Sequence, residues 1–145
     1  MLNQEVIFFP LLAQVFLTML VWLWLYKTRI TEIRKRRVKP QALANHLDLS
    51  KLLQSVIEPS DNFKNLFETP VLFYVAIITI YITQMVDFIF VILTSVFVLF
   101  RYLHSFIHIS YNRVTHRFSV YIASTCILWI IWLLIGLRLV DMVKL

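Results

Sequence analysis

The sequence predicts an all-α membrane protein, a left-handed bundle of four transmembrane helices. Hydrophobic residues make up 60% of its 145 residues, more than a water-soluble core of this size could bury without large exposed apolar patches. These residues fall into four runs of roughly 20 residues each, the length that crosses a bilayer as a helix. The sequence has a single Cys, which excludes disulfide and zinc frameworks within one chain, and we expect no metal site.

The four predicted spans belong to one domain that covers residues 1–145. The first span ends in the aromatics Trp22, Trp24 and Tyr26, side chains that favour the boundary between lipid and water. The second and third spans are joined by a tight hairpin at Val86 and Asp87, and the third and fourth by a short basic link. The spans cover about 6–26, 66–85, 88–110 and 118–137.

Lysine and arginine are concentrated on one side of the predicted membrane. Of 14 such residues, 11 lie in or beside the long loop at about 28–65 and the link between the third and fourth spans. The positive-inside rule therefore places both connections in the cytoplasm and both termini outside. The densest run, Arg34 to Arg37, is interpreted as a topology signal that contacts anionic lipid headgroups rather than nucleic acid.

Ionisable and polar side chains gather in the cytoplasmic halves of the second, third and fourth spans. Ionisable groups at bilayer depth are costly and usually face a bundle interior or a cavity. Within each span their spacing of three, four or seven residues puts them on one helical face. We expect Glu68 to be the anionic partner of Arg101 inside the bundle. The members of this set are Asn65, Glu68, Arg101, His104, His108, Arg117 and Tyr121.

The residues alone leave more than one explanation of this set open. It could form a ligand or catalytic site for something small and charged, or a purely structural network, because buried ion pairs also hold helices together. A proton or ion pathway through Glu68, His104 and His108 would need polar groups in the other halves of the spans. Those halves, such as 88–100, contain hydroxyls and no charge, which argues against a pathway.

Two stretches resemble the MAPEG family, the membrane-associated proteins of eicosanoid and glutathione metabolism. The run NLFETP at 65–70 is similar to the family's Asn-x-x-Glu followed by Pro at the start of its second helix. RYLH at 101–104, continued by RFSVY at 117–121, is similar to its Arg-x-x-His and Arg-x-x-x-Tyr motifs. Four spans and a long basic first loop extend the resemblance over essentially the whole chain.

The resemblance implies a homotrimer in which glutathione, as cosubstrate, lies between neighbouring subunits near the cytoplasmic leaflet. Arg117 would be the catalytic residue, because its guanidinium would stabilise the glutathione thiolate. Glutathione has two carboxylates and an ammonium, which suits a site of arginines and a glutamate. Lys64, His108 and Arg113 are additional candidates. The implied glutathione-binding set is Asn65, Glu68, Arg101, His104, Arg117 and Tyr121.

The function implied in this way is a glutathione-dependent transferase or peroxidase that acts on small hydrophobic electrophiles or lipid hydroperoxides. The alternative is a non-catalytic membrane protein that binds a small anion or a lipid headgroup in the same pocket. We expect an integral, multi-pass protein of a bacterial inner membrane, since the design is compact and poor in loops. Its expected partners are membrane lipids and other copies of the chain.

The sequence departs from the family pattern at four positions. Asp61 stands where family enzymes usually have an arginine, and an acid there would repel a glutathione carboxylate. Lys64 keeps the charge of a common arginine without its bidentate fork. Phe118 follows Arg117 where some isomerase-type members have a hydroxyl, which argues against that isomerase reaction. His108 replaces an aromatic hydroxyl.

Overall fold

The computed structural model describes residues 3–37 and 56–144, and all of the regular structure in these ranges is helical. Within these ranges, four helical stretches are long and apolar enough to cross a membrane: Gln4–Arg36, Ile57–Ile82, Phe88–Ile109 and Val114–Val143. The prediction of an all-α, four-span membrane protein is confirmed. A short 3-10 helix, Gln4–Ile7, precedes α1 (Phe8–Arg36), α2 (Ile57–Asn65), α3 (Thr69–Ile82), α4 (Phe88–Ile109) and α5 (Val114–Val143).

Helix α1 continues well past Tyr26, the predicted end of the first span. Residues 28–36 were expected in a polar loop, and that prediction is wrong for them. The reason is local: the segment has no Gly or Pro, and Glu32 forms an ion pair with Arg36 one helical turn later. The basic run is the last turn of α1, where positive charge is favoured by the helix dipole. Residues 38–55 of the predicted loop lie outside the described residues.

The second membrane-length stretch, Ile57–Ile82, is divided into two helices. Helix α2 ends at Asn65, a turn covers 66–68, and α3 begins at Thr69 with Pro70 in its first turn, where the missing N–H costs no hydrogen bond. Residues 57–65, also expected in the loop, are helical because α2 packs along the end of α1. Buried Leu66 at the turn contacts Leu17 of α1.

The apolar core fills the middle of the bundle. The rings of Phe73 and Phe97 stack with centroids 4.5 Å apart, which joins α3 to α4. The Tyr102 hydroxyl donates to the Ala13 carbonyl at 2.8 Å and ties α4 to α1. The outward faces of the helices expose large apolar side chains, as expected of a surface that contacts lipid.

The two ends of the bundle differ. We call the end where α1 terminates, α2 lies and α4 passes into α5 the basic end. At the far end Arg138 of α5 donates to the Asp87 carboxylate at 2.5 Å and to the Met85 carbonyl at 3.3 Å. The Asp87 carboxylate also caps α4 by accepting from the Phe90 N–H at 2.9 Å. We call Asp87 and Arg138 the far-end pair.

The far-end pair changes the acidity of Asp87. Partial burial alone would raise the pKa of Asp87, but the Phe90 N–H and Arg138 together outweigh it. The pKa of Asp87 therefore lies below its ordinary value of 3.8. The charged form of Asp87 is thus favoured in the folded protein.

Candidate functional site

The predicted polar set lies at the basic end, and we call it the basic-end cluster. Its central residue, Arg101, is completely buried. Its Nη2 donates to the Asn65 carbonyl oxygen at 2.6 Å, and its guanidinium carbon lies 5.4 Å from the centroid of the Tyr121 ring. The Arg101 Nε and Nη1 atoms have no hydrogen-bond partner among the described residues. A buried guanidinium with free donors is costly, so this position is incomplete without water or a ligand.

The expected contact between Glu68 and Arg101 does not form, and that prediction is wrong. Glu68 is exposed, and among the described residues its carboxylate accepts only a long hydrogen bond, 3.4 Å, from the Tyr121 hydroxyl. The expectation assumed one unbroken helix through 65–68. Instead, Glu68 lies at the turn before α3 with φ −95° and ψ −100°. Its side chain is therefore not on the same helical face as Asn65.

His104 links α4 to the first turn of α5. Its Nδ1 lies 3.2 Å from the backbone carbonyl oxygen of Arg117. A carbonyl can only accept, so Nδ1 bears the proton and Nε2 is an acceptor. The Nε2 atom is buried without a partner among the described residues, and the imidazole ring lies 5.7 Å from the Tyr121 ring.

Arg117 is held by two neighbours. Its Nη1 donates to His108 Nε2 and to Asn112 Oδ1, each at 2.9 Å. Arginine has no acceptor, so His108 Nε2 must be unprotonated and the proton of this neutral ring lies on Nδ1. His108, which the sequence indicated only as an additional candidate for the site, therefore contacts the predicted catalytic arginine directly.

Sequence reasoning missed two polar residues of this cluster. Asn112 contacts Arg117, and its Nδ2 donates to Glu58 Oε1 at 2.7 Å. Asn112 has a left-handed backbone with φ 43°, which asparagine tolerates better than most residues. That preference could have marked Asn112 as an ordered turn residue. Its contact with Glu58 of α2 depends on the packing of α2 and has no signal in sequence spacing.

The remaining predicted residues lie at the edge of the cluster. Lys64 and Arg113 are exposed. The Lys64 Nζ lies 3.4 Å from the Asp61 carboxylate, with both side chains about half exposed. Such a pair adds little to stability. It does, however, offset the positive charge that Lys64 would offer to an anion.

A cavity of about 210 Å³ opens at this cluster. Four of the six residues of the predicted glutathione set line it, and Arg101 contacts two of those four. Its volume is below the roughly 300–1,000 Å³ of typical ligand pockets, so one chain supplies only part of a site for a tripeptide. The lining residues are Asn65, His104, Val114, Arg117, Phe118 and Tyr121.

The chemistry of the cluster suits an anion. Two guanidinium groups, each with donors that no described residue accepts, and several neutral hydrogen-bonding groups converge here, as in sites that bind carboxylates. Within residues 3–37 and 56–144, no group of three or more His, Cys, Asp or Glu side chains could hold a metal ion.

Comparison with known proteins gives one result. The family model described as MAPEG family matches residues 7–137, which is most of the chain. No curated protein and no solved structure matches the chain.

Proposed function

The chain belongs to the MAPEG family, and from that premise we propose that it is a membrane-bound, glutathione-dependent transferase or peroxidase. Its substrates would be small hydrophobic electrophiles or lipid hydroperoxides. The observation that supports this most directly is the way in which Arg117 is held at the cavity. Its side chain lines the cavity, and one of its nitrogens is fixed by His108 and Asn112.

A positioned guanidinium makes glutathione reactive by favouring the thiolate. In the transferase reaction the thiol loses its proton, the thiolate sulfur forms a bond to the electrophilic carbon, and the leaving group departs with its electron pair. In the peroxidase reaction the thiolate attacks the terminal peroxide oxygen and the O–O bond breaks. The lipid leaves as an alcohol after protonation, and a second glutathione converts the resulting sulfenic acid to the disulfide and water.

The other residues of the set have roles that fit the rest of glutathione. Arg101 has free donors for a carboxylate, and the exposed Glu68 carboxylate would accept from the ammonium. Asn65, His104 and Tyr121 would supply neutral hydrogen bonds. Because the cavity is small, a neighbouring subunit of a homotrimer would complete the site. The basic end would face the cytoplasm, as the charge distribution predicts.

A second opening suits the hydrophobic substrate. A groove of about 620 Å³ lies between α1 and the α2–α3 segment, with a mostly apolar lining. It includes Phe67, the residue next to Glu68, so it approaches the turn that carries part of the glutathione set. A substrate dissolved in lipid could enter from the side. The lining residues are Val15, Thr18, Met19, Trp22, Phe63, Phe67 and Tyr74.

One observation favours the alternative of a non-catalytic anion or headgroup binder. Asp61 lies 3.4 Å from Lys64, so an acid occupies the edge of the site where a glutathione carboxylate would otherwise meet positive charge. A ligand with one anionic group would be affected less than glutathione. This alternative keeps Arg101 and Arg117 as ligand-binding residues and removes the reaction.

The test is glutathione binding to the detergent-purified protein by calorimetry, with ultraviolet absorbance reporting the thiolate. Arg117→Ala removes the proposed thiolate partner. Arg113→Ala is the matched control, because Arg113 lies four residues earlier, is exposed and does not line the cavity. We expect saturable binding and a thiolate signal in the wild type and in Arg113→Ala, and loss of the thiolate signal in Arg117→Ala.

Turnover separates the two candidate functions. Chlorodinitrobenzene and cumene hydroperoxide serve as the electrophile and the peroxide, each with glutathione. Turnover that Arg117→Ala lowers by about 10²-fold, the usual cost of losing one electrostatic stabiliser, would support the enzyme. Glutathione binding without turnover would favour the alternative, and no binding at millimolar glutathione would exclude both glutathione reactions.

A further inference from the structure

We infer that Asn112, held by Glu58, is a positioning residue that turns the free edge of the Arg117 guanidinium toward the cavity. This inference rests on the proposed function of Arg117. It adds two residues to the proposed site, Asn112 in the link between α4 and α5 and Glu58 in α2. Neither belongs to the polar helix faces that the sequence predicted.

The contacts form a chain of three side chains. Glu58 Oε1 accepts from Asn112 Nδ2 at 2.7 Å, and Asn112 Oδ1 accepts from Arg117 Nη1 at 2.9 Å. The amide of Asn112 therefore has its donor side toward Glu58 and its acceptor side toward Arg117. Reversing the amide would place two donors against each other at Arg117 and two acceptors against each other at Glu58, so Glu58 helps to fix which side faces the guanidinium.

A count of donors shows what this does to Arg117. The Nη1 atom has two hydrogens, and the two acceptors within reach are Asn112 Oδ1 and His108 Nε2, each at 2.9 Å. Both Nη1 hydrogens are thus occupied. No residue in 3–37 or 56–144 accepts from Nε or Nη2, so these donors remain for the cavity, which Arg117 lines. A guanidinium is planar, so fixing one nitrogen by two bonds fixes the plane in which the other donors lie.

The backbone makes Asn112 a rigid anchor. Its N–H donates to the Ile107 carbonyl at 2.8 Å, and its φ of 43° reverses the chain between α4 and α5. Asn112 is therefore bound through its backbone to α4, through Nδ2 to α2 and through Oδ1 to α5. An arginine has many rotamers, and holding it beforehand removes the entropy cost of ordering it when the substrate binds.

His108 alone would hold Arg117 less specifically. It supplies one acceptor, around which the guanidinium can still turn, whereas a second acceptor on the same nitrogen stops that rotation. The bond between Asn112 and Glu58 is at the surface, so water weakens it. Its main effect is to orient the Asn112 amide. We therefore expect a graded result, larger for Asn112 than for Glu58.

The experiment compares four variants of the full-length protein in detergent. Asn112→Gly removes the amide while keeping the left-handed turn, which glycine adopts without strain. Asn112→Asp keeps an acceptor for Arg117 and removes the donor for Glu58. Glu58→Ala removes the acceptor, and Glu58→Gln is the conservative rescue, because its amide oxygen can accept the same bond. Each is measured for glutathione affinity, the thiol pKa of bound glutathione, kcat and KM with chlorodinitrobenzene, and thermal unfolding.

The expected result separates positioning from binding and from folding. Asn112→Gly should lower kcat about tenfold and raise the thiol pKa of bound glutathione, with KM for glutathione nearly unchanged; a displaced group costs up to about 10²-fold. Glu58→Ala should lower kcat about threefold. Glu58→Gln should stay near the wild type, since it retains both bonds. Asn112→Asp should resemble Glu58→Ala, since it keeps the bond to Arg117 and loses the bond to Glu58.

Other outcomes overturn the inference. A wild-type thiol pKa and kcat in Asn112→Gly would show that His108 alone orients Arg117. If Asn112→Gly and Glu58→Ala each lowered both the unfolding temperature and the glutathione affinity, the chain of contacts would be merely structural. If the wild type itself binds glutathione without forming thiolate, the proposed function fails first, and the positioning role falls with it.

Discussion

Two arginines within helices of the bundle have opposite environments. Arg138 at the far end donates to Asp87 and to the Met85 carbonyl, and its guanidinium carbon lies 4.6 Å from the Phe90 ring centroid. Arg101 at the basic end has one acceptor, the Asn65 carbonyl, and two buried nitrogens without a partner in the described part of the chain. The far-end pair is complete by itself, whereas the basic-end cluster needs something that the single chain does not supply.

This difference is a better guide to function than charge. Both residues are arginines in helices of membrane length, so their charge alone does not separate them. Only the count of satisfied donors separates a group that holds helices together from one that is available to a ligand. The comparison makes opposite predictions for the two ends, which are given from the largest expected effect to the smallest.

The largest effect is expected from removing Arg101. Arg101→Met should weaken glutathione binding by about 10²-fold, because hydrogen bonds to charged groups contribute about 1.5–3 kcal/mol each. The same change should leave the free energy of unfolding without ligand within about 1 kcal/mol of the wild type, since an unpaired buried charge is replaced by an apolar chain of similar size. Calorimetry and thermal unfolding in detergent measure the two quantities.

Arg138→Met is the matched control for Arg101→Met. It should lower the free energy of unfolding by about 1–2 kcal/mol, a value reduced because the far-end pair is about one-third exposed. Glutathione affinity should not change. If both substitutions destabilise the protein equally and neither affects binding, the contrast between the two ends is wrong.

A smaller effect is expected at Glu68. Because Glu68 is exposed and does not pair with Arg101, Glu68→Gln should reduce glutathione affinity about tenfold, the value of one charged hydrogen bond, without lowering the unfolding temperature. Calorimetry with glutathione, and with a derivative that lacks the free amine, measures this effect. An equal loss for both ligands would show that Glu68 does not meet the ammonium.

The smallest effect is a pH dependence at the far end. The folded-state pKa of Asp87 is below its ordinary value of 3.8, so its contribution to stability is present above that value and is lost as pH falls through the lower folded pKa. Asp87→Asn keeps a side-chain oxygen to cap α4 and removes the charge. Its unfolding temperature should therefore fall less steeply than that of the wild type below about pH 4, in parallel thermal scans. Identical acid slopes would contradict the far-end pair.

Much of the site was predictable because its residues repeat along unbroken helices. The spacing indicated that polar side chains of α4 and α5 lie in the same half of the bundle, and there His104 contacts the Arg117 carbonyl and Arg101 the Asn65 carbonyl. The pairing of Glu68 with Arg101 was wrong because the turn at 66–68 interrupts the helical spacing on which it depended. Periodicity describes side chains well only where the helix continues.

The rest of the cluster depends on contacts between distant parts of the chain. Glu58 reaches Asn112 across 54 positions, because α2 lies along the basic end rather than in a loop. Similarly, the orientation of each imidazole follows from which neighbour donates and which accepts, and no sequence pattern contains that information. The family resemblance named the residues of the site but not the hydrogen bonds that arrange them.

The unequal lengths of the helices have a mechanical consequence. Helix α5 has 30 residues and is about 45 Å long, whereas α3 has 14 residues and is about 21 Å long. A bilayer core is about 30 Å thick. If the far-end pair marks one interface, α3 alone is too short to reach the other, and the turn at 66–68 would lie at a depth that the lipid sets. Hydrophobic mismatch would thus act on the cavity directly: longer acyl chains would submerge Asn65 and Glu68, and shorter ones would bring them toward the headgroups and water.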